Sequence, residues 1–241
     1  MLTQTGRTTG NNGNIIDGVG GYNDGLQYYN NVSRKPYSEG AQWNFHIEIW
    51  NSRGGMNIYG NQFQGGGCHI DIGGDSNTKG SYAYSWWIHD NLFNQDALQA
   101  YNADGYYTIA VDLERNVQDA IIERNHIRRL NWGVYLSCDG YSTNLGSENI
   151  RISYNIFESI GTTDNLYAAA LMISSLETSL GHSNIRFDNN TITAGASFNV
   201  GAGIITALYA GTLDNLYIRN NIMKGFMRPM GVDATQNPGI S

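Results

Sequence analysis

Three short phrases carry the most reactive pattern in the chain. HIEI (46–49), HIDI (69–72) and AVDL (110–113) each set one carboxylate between apolar residues: Glu48, Asp71 and Asp112. Alternation with period 2 puts such an acid on one side of a strand and its apolar neighbours on the other. If the three strands are stacked, the carboxylates stand about one strand spacing apart, ~4.8 Å. Three like charges at that separation cannot all stay ionised cheaply without a cation or strong hydrogen-bond donors. Three chemistries follow. Glu48, Asp71 and Asp112 could be hard oxygen ligands for calcium, an acid/base pair for glycosidic chemistry, or polar anchors for sugar hydroxyls. The plain alternative is a solvated acidic stripe. Sugar anchoring leads among the functional readings, with calcium next, and no cofactor is required.

Aromatic residues flank these acids. Trp50 lies two residues after Glu48, and Tyr135 falls on a strand two rungs beyond Asp71. Trp87 projects outward from a different strand, whereas its neighbour Trp86 falls inward by phase. A flat ring with a polar rim matches the apolar C–H face of a sugar. His46 and His69 take the position two before the acids and are expected outward, so His69 joins the candidate contacts. His89 and His126 are expected to be exposed near Glu123, and Arg151 and Arg186 to form an outward pair.

The elements that must position these residues are legible as a repeat. NIRISYNIF (149–157) has close copies at 56–63, 86–93, 120–127, 184–192 and 215–223, anchored on Asn61, Asn91, Asn125, Asn155, Asn190 and Asn221. The steps are 30, 34, 30, 35 and 31 residues. The positions five before, three before and two after each Asn are all apolar, so three columns stay in phase with one Asn column. This spacing predicts a half-buried strand followed by a bend at the Asn, with the Asn side chains stacked as an amide ladder. A second strand follows at 68–73, 108–113, 133–137, 170–174 and 203–207, more weakly at 229–233. LQYYNN (26–31) reads as a degenerate first copy with FHIEIW (45–50) as its second strand. Two strands and their bends per roughly 30 residues describe one turn of a parallel solenoid, whose turns bury a common core only by stacking.

The pattern resembles the right-handed parallel β-helix superfamily, which includes pectate lyases, polygalacturonases, tailspikes and some carbohydrate-binding modules. The resemblance runs from about Leu26 to Val232. It implies an all-β, right-handed parallel β-helix of about six to seven turns over 26–233, with an irregular lead-in (1–25) and a C-terminal tail (234–241). The adjacent Asp–Asp pair and Arg-x-Lys of polygalacturonases are absent, GHSN (181–184) is only a faint echo of their Gly-His-Gly, and the catalytic Arg of the lyases has no clear counterpart. In length and architecture the chain looks most like the β-helical xylan-binding modules of carbohydrate-binding module family 89. That resemblance implies a monomeric, non-catalytic module for a neutral plant polysaccharide such as xylan, secreted as part of a longer chain with a glycoside hydrolase. Two alternatives stay open: a polysaccharide lyase or glycoside hydrolase built on Glu48, Asp71 and Asp112, and a structural tailspike-like or adhesin solenoid.

Composition narrows the partners. The chain has 241 residues, a net charge of −7, a pI near 5.1 and only three lysines, which argues against nucleic acid. Gly is abundant (30) and Pro scarce (3), as suits a backbone that turns often yet donates to hydrogen-bond ladders. No apolar run reaches transmembrane length, so no membrane partner is expected. Cys68 and Cys138 lie two rungs apart, roughly 9.6 Å at the strand spacing, beyond the ~7 Å Cα separation a disulfide tolerates. Both are expected to be free thiols.

Overall fold

Each copy of the phrase forms a strand, a tight bend and a further short strand, and a third strand completes the rung. The computed structural model describes residues 16–17, 25, 27–34, 45–50, 53–74, 83–95, 108–138, 146–161, 168–175, 181–195, 202–208 and 212–232. The expected tail (234–241), most of the lead-in (1–25) and the interiors of the long connections lie outside these residues. Among the described residues there is no helix, and the strands form three parallel sheets.

The first sheet stacks Ile16–Asp17, Phe45–Trp50, Cys68–Gly73, Ile109–Glu114, Trp132–Ser137, Ala169–Ser175, Ala202–Leu208 and Arg228–Val232. The second stacks Gln27–Tyr29, Arg53–Tyr59, Ala83–His89, Val117–Glu123, Glu148–Ser153, His182–Asp188 and Leu213–Arg219. The third stacks the short strands Val32–Arg34, Gln62–Gln64, Leu92–Asn94, His126–Arg128, Ile156–Ile160, Thr191–Ala194 and Ile222–Lys224. This is a parallel β-helix-like repeat. From the first copy, residues 27–31 and 45–50 do form its first full rung.

Two expectations are corrected. Each rung carries three strands rather than two, because the apolar residue after the Asn opens a separate sheet. Most strands of that sheet hold three residues, too few to display a period of their own. Part of the lead-in is also regular: Ile16–Asp17 pairs in parallel with Ile47 and Glu48.

The bend is also not at the ladder Asn. The residue before it takes the left-handed conformation, at Asn30, Gly60, Asp90, Arg124, Tyr154, Asn189 and Asn220. A second left-handed column lies six residues before the ladder, at Gly25, Gly55, Ser85, Asp119, Asn149, Asn184 and Asn215. Gly, Asn and Asp dominate this second column because they carry the smallest penalty for positive φ.

The expected ladder forms and is fully bonded. Asn91 Nδ2 donates to Asn125 Oδ1 at 3.0 Å and back to Ile58 O at 2.8 Å, while Asn91 Oδ1 accepts from Asn61 N and Nδ2, each at 3.0 Å. The same set recurs from Asn61 to Asn190. A buried amide with its capacity met rung after rung costs little desolvation and fixes the register.

Apolar columns fill the interior. Ile58, Ile88, Ile122, Ile152 and Phe187 succeed one another on the second sheet, faced by Ile70, Val111, Val134, Leu171 and Ile204 on the first. On the third sheet Phe63 and Phe93 stack at 5.1 Å between ring centroids. Gly133 makes room for this packing, since a Cβ there would come within 2.4 Å of the Phe157 ring. At the last rung the matching residues Leu216, Ile218 and Met223 are only half-buried. Neither cysteine is in a disulfide, and both are buried. No helix among the described residues is long and apolar enough to cross a membrane.

Candidate functional site

The stacking of the acids is as expected. Glu48, Asp71, Asp112 and Tyr135 are register partners on consecutive strands of the first sheet. Ile70 and Ile72 belong to the main core, so Asp71 points to the other side of the sheet. That side is not a solvated stripe. Asp71 is 1 % exposed and Asp112 4 %. Beside them Phe45, Cys68, Ile109, Trp132, Met172 and Ile205 form a second buried apolar cluster, against which Tyr135 packs.

Asp71 is the anomaly in this column. Neither carboxyl oxygen has a hydrogen-bond partner among the described residues. Burial pushes its pKa well above the ordinary carboxylate range, reinforced by Asp112, Glu114 and Glu48 and only partly opposed by Arg115. The protonated form of Asp71 is therefore favoured over its usual balance. Asp112 accepts from Ser137 Oγ at 3.4 Å. No group of three His, Cys, Asp or Glu among the described residues is arranged to hold a metal ion.

The aromatic residues on this sheet are committed to internal contacts. Trp50 Nε1 donates to Glu48 Oε1 at 3.3 Å. The Trp50 ring lies against Gly73, where a Cβ would approach to 2.6 Å, and the Arg115 guanidinium, itself paired with Glu114, sits 5.0 Å from its centroid. Tyr135 OH and Ser174 Oγ are hydrogen-bonded at 2.7 Å, and the Tyr135 ring leans on Trp132 at 4.6 Å.

His46 and His69 do not face outward. Both are completely buried, and both Nε2 atoms donate to the carbonyl of Gly65, at 2.8 and 3.0 Å. His69 stacks on Phe93 at 5.7 Å and Phe63 at 6.1 Å. The strand starts break alternation there: Phe45 and Cys68 belong to the outer cluster, while His46 turns in toward Ser33 on the third sheet. His89 is likewise buried rather than exposed, within hydrogen-bond distance of Asp90 and Asn57. His126 pairs with Glu158 at 2.7 Å.

An open surface lies on the second sheet. Trp86 is 1 % exposed and fills the core, while Trp87 is 41 % exposed. Its Nε1 donates to Glu123 Oε1 at 3.1 Å, its ring lies 4.0 Å from His89, and the Arg124 guanidinium stands 6.0 Å from its centroid. Glu123 also accepts from Arg151 Nη2 at 2.7 Å and from Arg124. Burial tends to raise the Glu123 pKa, but the hydrogen bonds from Arg124, Arg151 and Trp87 prevail and lower it. The Trp87 indole is thus oriented by a fixed charge. Tyr29, Tyr59 and His89 stack on successive rungs at 5.1 Å, which covers both faces of the Tyr59 ring, while Tyr29 at the end of the stack stays exposed.

Beyond Trp87 along the axis lies an open depression of about 430 Å³, lined by Asp119, Ile121, Asn149, Ile150, Arg151, Asn184 and Arg186. Arg151 and Arg186 are exposed register partners, as expected. One wall is a second, exposed amide row: Asn184 Nδ2 donates to Asn149 Oδ1 at 3.1 Å, and Asn149 Nδ2 to Asp119 Oδ1 at 3.0 Å. The acid-and-aromatic pattern overlooked this row. It was visible as the Gly/Ser/Asp/Asn column six residues before the ladder. No protein-family model matches the chain, and neither a curated protein nor a solved structure is matched at a significant level.

Proposed function

We propose that this chain is a non-catalytic carbohydrate-binding module that holds an extended, neutral plant polysaccharide such as xylan along the second sheet. The observation carrying this reading is Trp87: a large ring, 41 % exposed, bonded to Glu123 and followed by a depression walled with amides. Such a ring offers an apolar plate for a sugar's C–H face. The exposed amides of Asn149 and Asn184 supply donors and acceptors for hydroxyls, whose water-mediated bonds serve nearly as well as direct ones. The rungs advance by ~4.8 Å, comparable to one unit of an extended β-linked pyranose chain, so successive sugars would meet equivalent rungs. We read the coil as right-handed, because parallel crossover connections are right-handed in about 98 % of cases, with six to seven turns. The resemblance to family 89 modules points the same way and would imply a secreted chain that also carries a glycoside hydrolase.

Affinity electrophoresis on a panel of soluble glycans, with product analysis of the same mixtures, tests the reading. Retardation by xylan without new reducing ends or unsaturated products supports it; cleavage of any glycan overturns it. A second reading rests on Asp71. A carboxyl whose pKa is raised, one rung from the Asp112 carboxyl, resembles the unequal pair of acid/base chemistry, and a hydrolase built on these two would release products in the same assay. A structural solenoid would do neither.

A further inference from the structure

We propose that the depression beside Trp87 is a subsite for a carboxylate-bearing sugar, a uronic acid substituent on the polysaccharide, held by Arg151 and Arg186. This inference rests on the carbohydrate-binding reading and adds to it the class of side group that is selected.

Arg151 and Arg186 are register neighbours, so two guanidinium groups emerge one rung apart on the same side of the sheet. Arg151 is neutralised by Glu123. Arg186 makes no ion pair among the described residues; its guanidinium lies 5.6 Å from the Tyr217 centroid, with Arg219 at 4.8 Å from the same ring. Positive charge therefore accumulates at this end of the depression. Asp119 lies toward the other end, two rungs away along the amide row, where its Oδ1 accepts from Asn149. Asp188 also stands on this face, outside ion-pair distance of either arginine.

Arginine's planar fork matches a carboxylate. A carboxylate beside Arg186 would also relieve the repulsion between neighbouring cations. The Asn149 and Asn184 amides stand ready for the ring hydroxyls of the same sugar. A neutral main chain lying over Trp87 and an acidic branch dropping into the depression are compatible with a protein whose net charge of −7 disfavours a polyanion.

The test compares xylan bearing uronic acid side groups with the same xylan after reduction of its carboxyls to alcohols, using the full chain and Arg186→Gln. The expected result is affinity about tenfold lower for the reduced glycan, the loss of one charge-assisted contact. Arg186→Gln should lower binding of the acidic glycan to that level and leave the reduced glycan unaffected, with an unchanged melting temperature. The preference should weaken as salt is added. Equal binding of both glycans by the native chain overturns the subsite and leaves the module reading standing. An equal loss on both glycans in Arg186→Gln also overturns it. Binding of neither glycan removes the module reading, and the subsite with it.

Discussion

Asn125 Nδ2 donates to Asn155 Oδ1 at 3.1 Å, and the backbone N–H of Asn125 donates to the same oxygen at 2.9 Å. One side-chain oxygen thus ties two atoms of the preceding rung, and the pattern repeats through the molecule. The scaffold's register is held by these contacts as much as by the apolar columns.

Removing one ladder amide should therefore be costly. Asn125→Ala leaves the buried Asn91 N and Nδ2 without their acceptor and the Ile88 carbonyl without a donor. The expected loss is on the order of 2–5 kcal/mol, read from denaturant melts. Asn125→Asp keeps the acceptors, loses the donors and buries a charge, so its deficit should grow as pH rises through the carboxylate range. Asn221→Ala, at the half-buried end of the ladder, should cost less. A near-neutral Asn125→Ala would show that strand pairing alone sets the register.

The adjacent tryptophans should separate stability from binding. Trp86→Ala opens a cavity in the core and is expected to cost about 3–5 kcal/mol. Trp87→Ala removes an exposed ring and should change stability by less than about 1 kcal/mol, while abolishing retardation by xylan. Retained retardation in Trp87→Ala would move the binding face elsewhere.

Asp71 predicts a pH dependence with a definite sign. Its folded pKa is raised, so above the unfolded value of about 3.9 the folded state holds a proton that the unfolded state has lost. Stability from this group falls as pH rises from there toward its folded pKa. Asp71→Asn, a neutral isostere, should match the wild type near pH 4 and melt higher at pH 7. A lower melting temperature at pH 7 would mean that the carboxylate is used as a ligand, and a chelator would then lower the wild-type melt as well.

His182 predicts the opposite slope. Burial pushes its pKa down to about 4, with Nδ1 accepting from Ser147 N at 2.9 Å and Nε2 donating to Ser174 O at 3.0 Å. The neutral ring is required, so stability is intact above the unfolded value of about 6.5 and is lost as pH falls toward the folded value. A shift of this size corresponds to about 3 kcal/mol. In His182→Gln the slope between these values should flatten; an unchanged slope would place the acid sensitivity in another group.

The chain's periodic content was readable because every rung repeats one environment. Ile58, Ile88 and Ile122 recur in phase with Asn61, Asn91 and Asn125, and a strand side chain can face only two ways. Inward columns, the amide ladder, the stacking of Glu48, Asp71 and Asp112, and the split between Trp86 and Trp87 all follow from that. What depends on neighbours distant in sequence was not readable. His69 turned inward because the third sheet, whose three-residue strands carry no period, offered Phe63, Phe93 and the Gly65 carbonyl. Trp50 and Tyr135 could be placed on a face, but only packing decided that one would lie on Gly73 and the other bond Ser174. Only packing buried Asp71 and left Trp87 and Arg186 open. Away from the strand starts at His46 and His69, the sequence by itself determined which side of its strand a residue takes; the tertiary structure decided which side meets solvent, because exposure is a property of everything packed around a strand.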